Sequence, residues 1–137
     1  MLVAVFTSDA KILLLRRWQP FDFWQSVTGS LKEEESHADA AARELLEETG
    51  FTDEGVLSDS GISRKFDIDP RWRDRFEPGV LENVEFEWRY KIPAARDIEL
   101  NEEEHSEYKW VPIDDAIDMV WSWTNREALQ QLKEELS

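Results

Sequence analysis

Apolar residues open the chain in two runs, 2–6 and 12–15, parted by the polar stretch 7–11. Two short apolar runs around a Ser-Asp turn predict a β-hairpin. Over 84–92, Val84, Phe86, Trp88, Tyr90 and Ile92 alternate with Glu85, Glu87, Arg89 and Lys91. That period of two predicts a half-buried strand, its charged side in solvent, ended by Pro93. A further strand is expected within 54–69, clearest over 62–68, and a short one at Ile98 and Leu100. The period changes over 36–49. Ser36 suits an N-cap, Asp39 follows in a capping-box-like position, and Gly50 suits a C-terminal stop. At about 100° per residue, Ala38, Ala41, Ala42, Leu45 and Thr49 share one face of this helix. Glu44, Glu47 and Glu48 share another, which the pattern points outward. A short helix is predicted over 112–120. A C-terminal helix follows, with Thr124 as its N-cap and Glu127 three residues on. Residues 70–83, rich in Arg, Pro and Gly with Trp72 and Phe76 interleaved, read as a loop. The elements predict an α/β (α+β) fold in one domain, 1–137.

Length and composition agree with one domain. A chain of 137 residues with 41% hydrophobic content can bury a real core. Charge narrows the partners. With 16 basic and 31 acidic residues, net −15, the chain is unsuited to nucleic-acid polymers or anionic membranes. Such a field also repels a polyphosphate unless a metal bridges the two. With no cysteine, disulfides, thiolate metal sites and cysteine nucleophiles are excluded. No apolar run reaches membrane-spanning length, and the first is too short for a signal peptide. A cytoplasmic protein is expected, monomeric or homodimeric.

The acidic face of the 36–49 helix carries the candidate chemistry. Glu44 and Glu48 repel across one turn, Glu47 adds to the crowding, and Arg43 offsets only part of it. Carboxylates clustered this way suit a hard cation with oxygen ligands, such as Mg2+. A merely solvated acidic face is the alternative. The surrounding spacing decides between them. Gly29, Glu35, Arg43-Glu44-Leu45, Glu47-Glu48 and Gly50-Phe51 stand at the intervals of the Nudix box, so the chain resembles the Nudix hydrolases over 29–51. The resemblance implies an α/β/α sandwich around a mixed sheet, a loop–helix–loop holding Mg2+ or Mn2+, and hydrolysis of a nucleoside diphosphate linked to another group. Most members have Gly where Glu34 stands. A non-Gly residue there is strained if its φ is positive.

Several stretches narrow the resemblance. FWQSVTGS over 23–30, FEPGV over 76–80 and SWTNREAL over 122–129 are similar to the dihydroneopterin triphosphate pyrophosphatases, also called dATP pyrophosphohydrolases. That branch implies Glu44 and Glu48 as principal metal ligands and the Thr28 carbonyl as another, its side chain near substrate. Glu47 is then a further ligand or orients the attacking water, and Arg43 holds the glutamates. Glu104 best matches the later base or ligand, with Glu102, Glu103 and Glu107 as rivals; His105 is given no role. Arg16 is the candidate phosphate ligand, with Arg17 beside it. Phe66, Asp67, Ile68 and Ser122 are the candidate substrate contacts, core packing being an equal reading of Phe66. Arg71, Arg73 or Arg75 could meet phosphate and Trp72 or Phe76 could stack a ring; a dimer contact or a partly ordered insertion is the other reading of that loop. Trp121 and Trp123 read first as packing and second as base-stacking residues. The implied function is Mg2+-dependent cleavage of a small-molecule triphosphate, dihydroneopterin triphosphate or a dATP-like nucleotide, to the monophosphate and pyrophosphate. A general nucleotide-pool hydrolase and a non-catalytic binding module are the alternatives.

Overall fold

The structure is a computed structural model that describes residues 1–75 and 79–137, the side chains of 73–75 excepted. Among the described residues, seven strands form one mixed sheet between three helices. The apolar first run is its middle strand. β1 (Leu2–Thr7) lies parallel to β6 (Glu82–Ile92), which pairs antiparallel with the edge strand β5 (Val56–Asp67). On its other side β1 forms the expected hairpin with β2 (Lys11–Arg17), joined at Phe6↔Ile12. The two strands then part. β1 takes up β4 (Val27–Thr28), and β2 takes up β3 (Phe23–Gln25) while β7 (His105–Pro112) runs along its other edge.

Strand alternation sorts the core into two layers. Val3, Val5, Leu13, Leu15, Trp88, Tyr90 and Ile92 face helix α1 (His37–Thr49), whose Ala40, Ala41 and Leu45 close that layer. Ala4, Phe6, Ile12 and Leu14 face α2 (Ile113–Met119) and α3 (Trp123–Leu136) through Ile113, Ala116, Leu129 and Leu132. Among the described residues, no helix is long and apolar enough to cross a membrane.

Four expectations need correcting. On the charged side of β6 Lys91 is in solvent as expected, but Glu85, Glu87 and Arg89 are covered. Glu87 is 1% exposed and paired with Arg64 at 2.7 Å and Arg89 at 3.0 Å, and Arg89 reaches Glu135 of α3 at 2.5 Å. Over 85–90, alternation therefore marked two covered faces, one apolar and one ionic, with Val84 and Lys91 exposed at the strand's ends. Burial also pushes the Glu85 carboxyl above its usual range. Ile98 and Leu100 form no strand; they pack on the α1 layer while the Glu99 N–H donates to the Thr49 carbonyl at 2.9 Å. Ser122, not Thr124, caps α3, accepting from the Asn125 N–H at 3.3 Å. The 70–83 loop begins with a 3₁₀ turn, Pro70–Arg75, and its last two residues already belong to β6.

Candidate metal and phosphate site

Helix α1 starts and stops where its sequence directs. Ser36 Oγ accepts from the Asp39 N–H at 3.1 Å, and Gly50 sits at φ 79°, where a side chain is disfavoured. Its packing face differs from the projected one. Ala38 and Ala42 are exposed, and the buried residues form two adjacent rows: Ala40, Glu44, Glu48 and Ala41, Leu45, Thr49. The carboxylates of Glu44 and Glu48 therefore lie along the buried edge rather than pointing outward; Glu47 alone stays exposed. Small alanines let the helix rest closely on the sheet, which draws the flanking glutamates in with it. Burial raises the Glu44 pKa, against the opposing pull of Arg43.

Arg43 ties the box together. Its Nε and Nη2 donate to the two oxygens of Glu35 at 2.8 and 2.9 Å, Nη2 donates to the Ser30 carbonyl at 2.7 Å, and Nη1 donates to Glu44 Oε1 at 2.6 Å. Glu47 is at the looser distance of 3.5 Å from Nη1. This fork-to-fork pairing needs a guanidinium and explains the Arg–Glu spacing. Hydrogen bonds from Arg43 hold the Glu35 carboxyl down at about 2. Gly29 serves the same cluster by what it lacks: a Cβ there would lie 1.8 Å from Glu44 Cδ. Glu34 has φ 63°, so the strain anticipated for a side chain in this loop is present.

The second acidic segment meets the helix through a β-bulge. β7 pairs with β2 at Arg16↔Glu107 and then at Arg17↔His105, leaving Ser106 as the extra residue. Simple alternation from Trp110 and Tyr108 would turn Ser106 toward α1. The bulge turns His105 there instead. His105 is 1% exposed, with Nδ1 2.9 Å from Glu48 Oε2 and Nε2 2.9 Å from Gln25 Nε2. Of the four rival glutamates, Glu104 stands beside this histidine and pairs with Arg17 at 3.3 Å. Glu107 pairs instead with Arg16, and Glu102 and Glu103 are exposed. Sequence reasoning missed His105 because a bulge leaves no mark on hydrophobic periodicity. Its one signal was adjacency to a candidate glutamate.

The candidate substrate residues are scattered more widely. Arg16 is bound to Asp22 at 2.5 Å and Glu107 at 3.0 Å, on the α2–α3 side of β2, and these partners raise its pKa. Arg17, one residue on, turns to the α1 side with its guanidinium over Trp72. Thr28 ends β4 next to Gly29, half-buried. Phe66 is half-buried and Asp67 exposed at the end of β5, while Ile68 is buried at 2% exposure. The chain beyond Ile68 reaches across the sheet end. There Trp72, Phe21, Phe23 and Trp121 form a ring cluster with centroids 4.8 to 5.5 Å apart. Trp121 thereby brings Ser122, the α3 cap, to the same end. Arg71 is held by Asp69 at 2.9 Å and lies over the Phe21 ring at 3.5 Å. The expectations for Arg73 and Arg75 rest on side chains outside the described ones, and that for Phe76 lies outside the described residues. Trp123 is half exposed, at 49%.

Among the described residues, no three carboxylate or imidazole groups converge as a ready-made metal cage. The donors nonetheless fit a hard cation. Glu48 Oε2 is buried and forms no aligned hydrogen bond, although His105 lies within contact distance. A buried carboxylate oxygen in that state is costly unless something positive meets it. Glu44, with one oxygen on Arg43, keeps its other available, and all the donors are oxygens, as Mg2+ prefers.

Comparison with known proteins agrees with this geometry. The family model described as NUDIX domain matches residues 1–132. The dihydroneopterin triphosphate diphosphatase of Escherichia coli K12 is 37% identical over 134 residues, 95% of this chain and 88% of its own length. The Haemophilus influenzae protein of the same name is 31% identical over 95% of this chain and 84% of its own. The structure of the E. coli dihydroneopterin triphosphate pyrophosphohydrolase superposes with a TM-score of 0.89 at 36% identity, covering 95% of this chain and 90% of that one. A binary complex of the C. elegans Ap4A hydrolase has a TM-score of 0.74 at 22% identity, over 98% and 95%, and shares the fold. The clamp, the capped helix and the match along nearly the whole chain lead to one conclusion: this protein belongs to the Nudix family.

Proposed function

We propose that the protein is a Mg2+-dependent pyrophosphohydrolase that cleaves dihydroneopterin triphosphate to the monophosphate and pyrophosphate, with dATP-like nucleotides as secondary substrates. The observation that carries this is the buried pair Glu44 and Glu48, one fixed by Arg43 and the other without an aligned hydrogen bond at Oε2, in a chain 37% identical to an E. coli enzyme of that name. Bound Mg2+ or Mn2+ supplies charge neutralisation at phosphate oxygens and lowers the pKa of a coordinated water. Glu44, Glu48 and the Thr28 carbonyl would hold it. Arg43 keeps Glu44 oriented, offsetting the burial that disfavours its ionised form. Glu47, exposed beside them, is a further ligand or orients the attacking water. Glu104, balanced by Arg17, accepts the proton or joins as a late ligand. Arg16 binds phosphate by exchanging Asp22 or Glu107 for phosphate oxygens, at the cost of breaking an ion pair. Phe66, Asp67, Ile68 and Ser122 line the substrate. The site of action is the cytoplasm.

The test is a triphosphate panel with Mg2+, read as pyrophosphate release and run beside Glu48→Gln. The reading predicts the highest kcat/KM for dihydroneopterin triphosphate, a lower value for dATP, and loss of turnover in the variant. A canonical nucleotide preferred over the pterin would assign the enzyme to general nucleotide-pool hydrolysis. Activity near wild type in Glu48→Gln would remove the metal assignment.

A further inference from the structure

We infer that His105 is a positioning residue for the metal ligand Glu48, and that Gln25 sets the ring form in which it acts. Three observations carry this. The histidine is 1% exposed and wedged between two buried polar side chains, Gln25 at 7% and Glu48 at 4%. Its two nitrogens face one partner each, both at 2.9 Å. A β-bulge at Ser106 turns it there, at the one place where β7 departs from simple register with β2.

Donor and acceptor logic assigns the proton. A carboxylate only accepts, so Nδ1 has to carry hydrogen to be tolerated beside Glu48 Oε2. The Gln25 amide, with its nitrogen toward Nε2, donates to a bare ring nitrogen and selects that same tautomer; this amide orientation is an assignment from the network. Nδ1 and Oε2 approach at 2.9 Å but off the straight line of a hydrogen bond. Rotation of the Glu48 carboxyl is the motion that aligns them, and the same torsion decides where its other oxygen points. A ligand oriented from behind in this way gains affinity because its geometry is fixed before the ion arrives. The residue acts through Glu48 and touches neither ion nor substrate.

The inference rests on Glu48 being a metal ligand, so its test includes that arm. Mn2+ binding is measured by electron paramagnetic resonance on purified wild type, Glu48→Gln, His105→Ala, His105→Asn and Gln25→Met, with unfolding by urea in parallel. Loss of outer hydrogen bonds to a ligand typically weakens metal affinity 10- to 100-fold. His105→Ala is expected in that range. His105→Asn, whose amide can donate from near the Nδ1 position, is expected to recover most of the loss. Gln25→Met is expected to be weaker than wild type by several fold while its urea midpoint stays close. Mn2+ affinity within twofold of wild type in His105→Ala, alongside a large loss in Glu48→Gln, overturns the role of His105 and leaves the metal site standing. Unchanged affinity in Glu48→Gln overturns both. If His105→Ala does not fold, the Asn and Gln25 variants decide: equal, large losses in both, tracking stability, make the histidine a packing residue and overturn the inference.

Discussion

Gly29→Ala tests the geometry of the box most sharply. Gly29 is fixed on both sides, donating to the Met1 carbonyl at 3.0 Å and accepting from the Met1 nitrogen at 2.6 Å. It therefore cannot easily retreat. An added Cβ would stand 1.8 Å from Glu44 Cδ and 2.2 Å from Oε2, where ordinary contact begins near 3.4 Å. The carboxyl has to move by about 1.6 Å, the difference between these figures, and that breaks its 2.6 Å bond to Arg43. Overpacking of this kind costs about 1–3 kcal/mol of stability. Misplacing a catalytic group by about 1 Å costs about 100-fold in rate, equivalent to about 2.7 kcal/mol of barrier. The expected result is a folded variant with kcat/KM down about 100-fold. A double-mutant cycle with Glu44→Ala isolates the cause, since shortening residue 44 removes the atoms in conflict. Coupling of about 1–3 kcal/mol in urea unfolding is predicted. An equal stability cost of Gly29→Ala in both backgrounds would refute the steric argument.

Other consequences are checked separately. Arg43 holds the Glu35 carboxyl below its ordinary value of 4.5, at about 2, so the clamp stabilises the fold fully above pH 4.5 and its contribution fades as pH falls toward 2. Urea midpoints across that window should drop in wild type and show a smaller drop in Arg43→Met; parallel curves would contradict the clamp. Glu34→Gly relieves a left-handed residue at φ 63°. Relief of about 1–2 kcal/mol, less about 0.5–1 kcal/mol for the greater freedom of glycine in the unfolded chain, should leave a small gain, visible as a higher urea midpoint. No gain would mean that the loop is not strained there. Glu104→Gln should lower kcat by at least tenfold with the urea midpoint unchanged, and Glu107→Gln should not; the reverse ranking would exchange their roles.

Much of this was legible in the chain because local rules and tertiary demands coincided. Ser36, Asp39 and Gly50 bound α1 as capping chemistry requires, and the apolar runs of β1 and β2 had only a sheet interior to occupy. The spacing of Arg43, Glu35 and Glu44 was legible as a motif, and the structure explains it as one guanidinium bridging two carboxylates. The failures have physical causes. A helical wheel cannot tell which of two adjacent faces meets the sheet, so the burial of Glu44 and Glu48 was missed. Alternation along β6 cannot distinguish a wet face from one covered by α3 and neutralised by arginines. Ile98 and Leu100 are apolar because they cover a core, with no ladder involved. His105 lies where it does through a bulge, and register shifts depend on pairing partners far away in sequence.

Catalysis by this protein depends on a cation held at the buried edge of α1. A crystal of active enzyme soaked in Mn2+ and measured at the manganese absorption edge addresses this directly. The expected result is an anomalous peak within about 2.0–2.3 Å of oxygens from both Glu44 and Glu48. A clear map with no peak touching either glutamate, from protein that hydrolyses triphosphate in the same batch, would contradict it.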